Sequence, residues 1–526
     1  MMKRRTFLAA SAAALAAPSI GRAADARVLK FVPQSDVTVL DPIWTTAYVT
    51  RNHGFMIFDT LYGIDGTYAA QPQMVEGHRV ERDGLQWDLT LRDGLKWHDG
   101  EKVLSRDCAA SIKRWGARDP FGQTLMAYTD EISTPDDKTI RLRLKKPFAL
   151  LPDALGKPGS NFCAMMPERL AKTDPFKGVT EMVGSGPFKW NASERVVGSR
   201  AVYDRNPDYK PRDGKTTGWT AGPKIVHFDR VEWHVIPDES TKANALTTGE
   251  VDWWENPTSD MLPLIRRNSG IVTKVTDPTG TMSCLRMNQL FPPFDKPEVR
   301  RALMHAITQR EFMIAANGTD QKLWHVPTGI FCPELPMGTT VELSMFEKAP
   351  DDKAHAAEIR KAGYKGEKVV LMVPTDQAIL QAECDVLADI MKKIGINVDY
   401  QAMDWGTLVQ RRALQKPPED GGWNVFITGW NGLDQSNPVG HVFLRGNGKQ
   451  AMFGWPTAPK IEALRQEWID SQTLADQKKI AVEIQKQAFI DVPYIPLGQY
   501  FSPTGYAKNL TGILDGFPIF WNVQRA

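Results

Sequence analysis

A strand–helix–strand run in the second half of the chain sets the fold class. The apolar stretch 369–373 reads as a buried strand, and Ile379, Val386, Leu387, Ile390, Met391 and Ile394 then recur at helical spacing until Gly395 stops them. Ile396, Val398 and Tyr400 alternate as a second strand. That order predicts a βαβ unit, so this part is expected to be α/β with some parallel pairing. The neighbouring helices are expected from 295 to about 308, with Pro297 near the first turn, and over 459–470 and 476–491. Thr308 and Glu311 have the spacing of a capping box for a further helix that Gly318 can end.

The first half is patterned differently. Residues 28–32 read as a short strand, leading to a turn at Asp41-Pro42. Trp87, Leu89 and Leu91 alternate with Asp88, Thr90 and Arg92, and Ile140, Leu142 and Leu144 alternate with Arg141 and Arg143. Asp93-Gly94 and Asp99-Gly100 supply turns, so half-buried, mainly antiparallel strands are expected here. The tract 206–223, rich in Gly, Pro, Lys and Thr, reads as an exposed insertion. There is no internal repeat, and 526 residues are enough for two to four packed units.

Residues 1–23 read as a cleaved export signal. Lys3-Arg4-Arg5 precedes an Ala-rich apolar run, and Gly21-Arg22-Ala23 fits a signal-peptidase site, with the paired arginines indicating the twin-arginine route. The run is far shorter than the ~20 residues of a spanning helix. No cysteine follows it, so a free periplasmic protein is expected rather than a lipid-anchored one. Losing Lys3, Arg4, Arg5 and Arg22 takes the 64 basic residues to 60, against 62 acidic ones. A net charge near −2 with no basic stripe argues against nucleic acid as a partner. The five cysteines are scattered without a CxxC pair; an oxidising compartment permits disulfides, and the odd count leaves at least one thiol free.

The usual catalytic motifs are missing: no GxSxG, HExxH, GxxxxGK[ST] or GxGxxG. Neither an enzyme nor a bound cofactor is expected.

The run from Trp87 to Glu101, Trp-Asp-Leu-Thr-Leu-Arg-Asp-Gly-Leu-Lys-Trp-His-Asp-Gly-Glu, continuing to Arg106-Asp107 and Ile112-Lys113-Arg114, resembles the signature of the family 5 solute-binding proteins of ABC importers, the dipeptide-, oligopeptide- and nickel-binding group. Further matches follow in family order: Phe58-Asp59-Thr60-Leu61, Gly184-Ser185-Gly186-Pro187-Phe188, Ala243 to Leu246 with Gly249-Glu250-Val251-Asp252, Asn288 with Pro293-Phe294-Asp295, and Val299-Arg300-Arg301-Ala302. Ala362-Gly363-Tyr364, Gly429-Trp430 and Pro493 to Leu497 complete the series, which covers nearly the whole mature chain. The resemblance implies an α/β, two-lobed periplasmic binding protein with mixed sheets, flanking helices and an extra subdomain on the first lobe. The implied segments are 24–58, 186–279 and 488–526 for the first lobe, 59–185 for its extra subdomain and 280–487 for the second lobe.

The resemblance also implies a monomer that captures a peptide or peptide-like solute in a hinged cleft and delivers it to permease and ATPase subunits at the inner membrane. In the family a carboxylate a few residues after a Gly-Trp pair receives the ligand's ammonium. Gly429, Trp430, Asn431 and Asp434 stand at that place, with Asp434 four residues before Pro438 and one residue further from the tryptophan than the family pattern. Asp434 also reads as a loop acid solvating a turn.

Trp405 and Trp254 are candidates to wall the pocket by stacking, or else to be ordinary core. Gln34, Thr45 and Thr46 are candidates for the first-lobe side, with Ser185 and Gly186 either beside them or in a structural turn. Arg411 and Arg412 are candidates for a ligand carboxylate or for solvent-facing charges. His441 is a candidate metal or haem contact or a core histidine. Other readings are a receptor for nickel chelate, haem, opine or oligosaccharide, and a twin-arginine-exported cofactor enzyme.

Overall fold

The computed structural model describes residues 27–471 and 473–526, so the expected export signal lies outside the described residues. The chain divides into two compact units. One holds the residues up to Pro257 with Pro263–Thr276 and Pro503–Ala526; the other holds Thr258–Leu262 and Asp277–Ser502.

The first unit is built on a seven-stranded sheet in the order Ile271–Val275, Pro503–Ala507, Trp253–Trp254, Val28–Val32, Arg230–His234, Arg200–Arg205, Phe188–Trp190. Val28–Val32 is parallel to both neighbours, and such a central strand is buried on both faces. Its Phe31 meets Trp233, Trp253 and Phe520 with ring centroids 5.7, 5.3 and 4.9 Å away. A separate antiparallel sheet orders Val75–Glu81, Gln86–Leu91, Thr139–Leu144 and Thr129–Ser133. The apolar residues of its two middle strands are buried, as their alternation predicts.

The tract 206–223 is only partly the exposed insertion that its composition suggests. Residues 213–217 are exposed, whereas Trp219, Thr220 and Ala221 are buried. Thr220 and Ala221 donate from their backbone N–H groups to the Ile64 carbonyl at 3.1 and 3.0 Å, and the Thr220 hydroxyl accepts from Ile64 N–H at 2.9 Å. A large indole and a strand edge in need of partners override the turn-forming composition.

The second unit has a mixed six-stranded sheet: Trp324–His325, Ile495–Tyr500, Thr281–Met287, Val425–Asn431, Lys368–Pro374, Asn397–Met403. Lys368–Pro374 and Asn397–Met403 pair in parallel and are joined by the helix Ala378–Lys393, which is the βαβ unit expected from periodicity. Ile495–Tyr500 pairs with Thr281–Met287 in this sheet. The return to the first unit, expected from 488, therefore comes only with Pro503. The helix Gln309–Asn317 does start after Thr308, but the Thr308 side chain caps nothing. Instead the buried Gln309 amide donates to the Thr328 and Pro496 carbonyls, both at 2.9 Å, so tertiary bonds hold this helix start in place of the predicted capping box.

Arg286, on the central strand Thr281–Met287, is fully buried without a carboxylate partner among its hydrogen bonds. Its guanidinium donates to the carbonyls of Phe453 at 2.9 Å, Pro493 at 3.0 Å, Met452 at 3.2 Å and Phe443 at 3.4 Å, and lies 4.3 Å from the Phe443 ring. Burial lowers its pKa to about 10, which leaves it charged at neutral pH. All five cysteines are buried and unpaired, so the permitted disulfides do not form here. Burial keeps them as thiols, pushing Cys284 up to about 12.

Glu383 faces the same strand from the helix Ala378–Lys393 and accepts from the Ser283 hydroxyl at 2.5 Å. Burial raises its carboxyl from 4.5 to about 8. An acid that holds its proton more tightly when folded loses stability as pH rises between those two values, because the unfolded chain releases the proton first. Thermal unfolding of Glu383→Gln between about pH 5 and pH 9 is expected to show a flatter pH dependence and a higher midpoint than the parent on the alkaline side. Parallel curves for the two proteins would show that this carboxyl does not titrate on folding.

Candidate functional site

Strand Val425–Asn431 brings the predicted second-lobe residues to the end of the sheet. It pairs with the central strand so that Gly429 lies opposite Ser283, Trp430 opposite Met282 and Asn431 opposite Thr281. Gly429 is required by crowding: a Cβ there would fall 2.6 Å from Thr281 Cγ2 and 3.2 Å from the Tyr500 hydroxyl. The Trp430 ring is buried and sits 4.8 Å from Phe443, which also meets the Arg286 guanidinium and the Tyr494 ring.

After the strand the chain makes one 3-10 turn, Gly432–Gln435. Asn431 Nδ2 donates to Asp277 Oδ2 at 2.8 Å, Gly432 N–H to the Gly280 carbonyl at 2.9 Å, and Leu433 N–H to Thr279 Oγ1 at 3.2 Å. The turn carries Asp434, which is 7% exposed. Gly432 is again required, since a Cβ would lie 2.2 Å from the Thr279 carbonyl oxygen and 2.6 Å from Cys332 Sγ. A polar cluster that the motif reading missed lies alongside. Gln499 Nε2 donates to the Thr279 carbonyl at 2.8 Å and to Glu334 Oε2 at 2.6 Å, Cys332 Sγ approaches the same carboxylate oxygen at 3.1 Å, and His325 Nδ1 is 3.6 Å from Glu334 Oε1. The partial charge of these contacts lowers the Glu334 pKa despite its burial.

Other predicted residues have structural employment. His441 is buried, and its Nε2 shares bonds with the Tyr494 hydroxyl at 2.8 Å and the Ile330 carbonyl at 3.1 Å. Burial drives it down to about 3, so it is neutral. Among the described residues no group of three or more His, Cys, Asp or Glu side chains could hold a metal ion. Arg411 and Arg412 do not stand free in solvent as their adjacency on a helix suggests. Arg411 donates to the Gly422 carbonyl and to Gln401 Oε1, both at 2.6 Å, and Arg412 is buried with its guanidinium 4.7 Å from the Phe453 ring. Trp405 opens the helix Trp405–Arg411, 5.5 Å from Arg412, and packs on the cluster of Val370, Met372, Leu408, Trp423, Phe426 and Trp455.

Within the first unit Gln34 and Trp254 come together around a carboxylate that sequence reasoning did not single out. Glu255 follows the buried Trp254 directly, and the Gln34 backbone N–H donates to its Oε2 at 2.7 Å. The signal was present as an acid immediately after two tryptophans, Trp253 and Trp254. Thr45 is buried, with its carbonyl accepting from Asn161 Nδ2 at 2.9 Å; Thr46 beside it is half-buried. Ser185 and Gly186 form a tight turn against the helix Tyr48–Ile57: Gly186 N–H donates to the Ile57 carbonyl at 2.8 Å, and a Cβ on Gly186 would lie 2.6 Å from the Met56 carbonyl oxygen.

Residues 69–450 match the family model of the bacterial extracellular solute-binding proteins, family 5 Middle. The chain belongs to this family. It is 37% identical over 524 residues, 98% of each protein, to the probable peptide ABC transporter periplasmic-binding protein y4tO of Sinorhizobium fredii. It is 26% identical over 500 residues to the glutathione-binding protein GsiB of Salmonella paratyphi A, covering 91% of this chain and 90% of that one. The fold is that of the two-lobed periplasmic binding proteins. The AgaA protein of A. tumefacien R10, solved with agropinic acid, superposes with a TM-score of 0.80 at 22% identity, covering 95% of this chain and 99% of that one. The DppA protein of Helicobacter pylori, solved with the peptide STSA, gives 0.78 at 21% identity, covering 95% and 98%.

The crowding at Gly432 makes a direct test of the turn. Gly432→Ala is expected to destabilise the folded chain by about 1–3 kcal/mol, because the methyl group must push back the Thr279 carbonyl. Urea unfolding that matches the parent would show that the turn relaxes freely.

Proposed function

We propose that this chain is the substrate-binding component of an ABC importer and that its cargo is a peptide or peptide-like solute. The observation that carries the reading is the end-to-end relationship to a relative named as a peptide ABC transporter periplasmic-binding protein, across 98% of both chains. The glutathione-binding relatives support it, since glutathione is itself a small peptide. The separation of the chain into two units, each around its own sheet, also suits a receptor whose loaded and empty forms must differ.

Asp434 is the proposed partner for a ligand ammonium. It sits on a turn whose backbone is fixed by Thr279 and Gly280, so a carboxylate held there loses little freedom on meeting a cation. Gly429, Trp430 and Asn431 shape that turn. Gln34 supplies a polar contact on the first unit.

The paired arginines Arg4 and Arg5 are proposed to direct export to the periplasm, with cleavage after Ala23. No helix among the described residues is long and apolar enough to cross a membrane.

The cargo is tested by thermal unfolding of the mature chain with tri-alanine, glutathione, agropinic acid, a nickel chelate, haem and maltotriose. A ligand at about 100 times its Kd adds about 2.7 kcal/mol, a plain rise in midpoint. Peptides are expected to give that rise, and Asp434→Asn to weaken their binding by about ten- to a hundredfold, the loss of one charge-assisted contact. A rise with haem or nickel chelate and none with peptides would overturn the peptide reading. Replacing Arg4 and Arg5 by lysine is expected to leave the uncleaved chain in the cytoplasm on cell fractionation.

A further inference from the structure

Glu255 is 5% exposed and collects three donors. The Gln34 backbone N–H reaches its Oε2 at 2.7 Å, while Oε1 accepts from Asn52 Nδ2 at 3.1 Å and from Gln34 Nε2 at 3.4 Å. An ionised carboxylate only accepts, so it draws the nitrogen of the Gln34 amide towards itself and turns the carbonyl oxygen away. Gln34 is half-exposed, which puts that oxygen where a solute can meet it.

Resting on the solute-binding reading above, we propose that Glu255 is a positioning residue that sets which way the Gln34 amide faces, so that the first unit offers a hydrogen-bond acceptor and selects a ligand bearing an N–H donor at that point.

Among the three donors that meet Glu255, one can answer a proton on it. A protonated carboxyl must give its hydrogen to an acceptor. The Gln34 backbone N–H has none to offer. The Asn52 amide cannot turn over, because its Oδ1 accepts from Arg51 Nε at 3.1 Å and Nη2 at 2.9 Å. The Gln34 side chain, at the longest of the three distances, is the group that can rotate. Turned over, it presents its NH2 group, and the preference reverses to a ligand acceptor.

Burial raises Glu255 from 4.5 to about 7, against the opposing pull of Gln34, Arg51, Asn52 and Lys242, so the exchange falls near neutral pH. The charged groups around it are themselves committed. Arg51 lies between the Tyr48 and Phe517 rings at 4.4 and 4.1 Å, Lys242 pairs with Glu239 at 2.5 Å, and Asp36 pairs with Arg195 at 2.6 Å.

Two measurements on the mature chain test this. In the ligand-free, 15N-labelled protein the side-chain amide signals of Gln34, identified by their loss in Gln34→Ala, are expected to titrate near neutrality and to stay still in Glu255→Gln. By calorimetry with tri-alanine, the ratio of affinities at about pH 8 and about pH 6 is expected to differ by about tenfold between parent and Glu255→Gln. A Gln34 amide that does not titrate in the parent overturns the inference. So does a Glu255→Gln variant that binds more weakly at every pH while keeping the parent's profile, since that is the mark of a purely structural role. If Glu255→Gln does not fold, Gln34→Ala takes its place in the calorimetry, with the same two outcomes. A titrating amide in a protein that ignores both tri-alanine and glutathione but responds to haem or a nickel chelate upholds the positioning role and overturns the peptide reading instead.

Discussion

The second unit depends on a buried cation that is satisfied by backbone alone. Arg286 leaves the central strand near its end and gathers carbonyls from Phe443, Met452, Phe453 and Pro493, segments that otherwise carry unpaired acceptors into the core. A buried charge is tolerable only when its hydrogen bonds are made, and an orphaned carbonyl costs about 1–3 kcal/mol, so the guanidinium and the loops need each other. The same contact places the Phe443 ring, and the Phe443 ring places Trp430. The path from core to candidate site is thus three side chains long.

Arg300 uses the same device, donating to the Phe294 carbonyl at 2.7 Å and the Val492 carbonyl at 3.1 Å, whereas Arg465 combines the Pro438 carbonyl at 2.8 Å with an ion pair to Glu462 at 2.8 Å. Two buried cations of the first unit are paired with acids. Arg114 meets Asp41 at 2.6 Å and Lys224 meets Asp59 at 2.8 Å, each pair almost wholly out of solvent. Both devices join residues far apart in the chain: Arg286 and Pro493 are 207 positions apart, Lys224 and Asp59 165. The turn bearing Asp434 is held by Thr279 and Gly280 instead, which explains why an irregular segment can hold a carboxylate steadily.

Periodicity made the regular elements readable. The strands around Leu89, Leu142 and Phe31, and the unit from Lys368 to Met403, follow from alternation and helical spacing because burial of one face or both is a local property of the chain. The ends of elements were harder. Thr308 had the residues of a cap, but Gln309 found better partners at Thr328 and Pro496, and no local pattern announces that. The candidate site was readable as a place rather than as a set of contacts. Gly429 to Asp434 do run from the end of one strand into one turn, yet whether Trp430 faces ligand or core is decided by Phe443, and the role of Arg412 by Phe453. Glu255 escaped notice because its partners Gln34 and Asn52 stand 221 and 203 residues away.

The five sequestered thiols bear on how such a protein is made. Each cysteine reaches its final surroundings without acquiring a covalent partner, and none is left at the surface to be mispaired by an oxidant. Maturation therefore asks nothing of a disulfide-forming machinery. A polypeptide of this kind can attain its finished shape in a reducing cytoplasm as readily as beyond it, which makes passage in the already folded state chemically unproblematic.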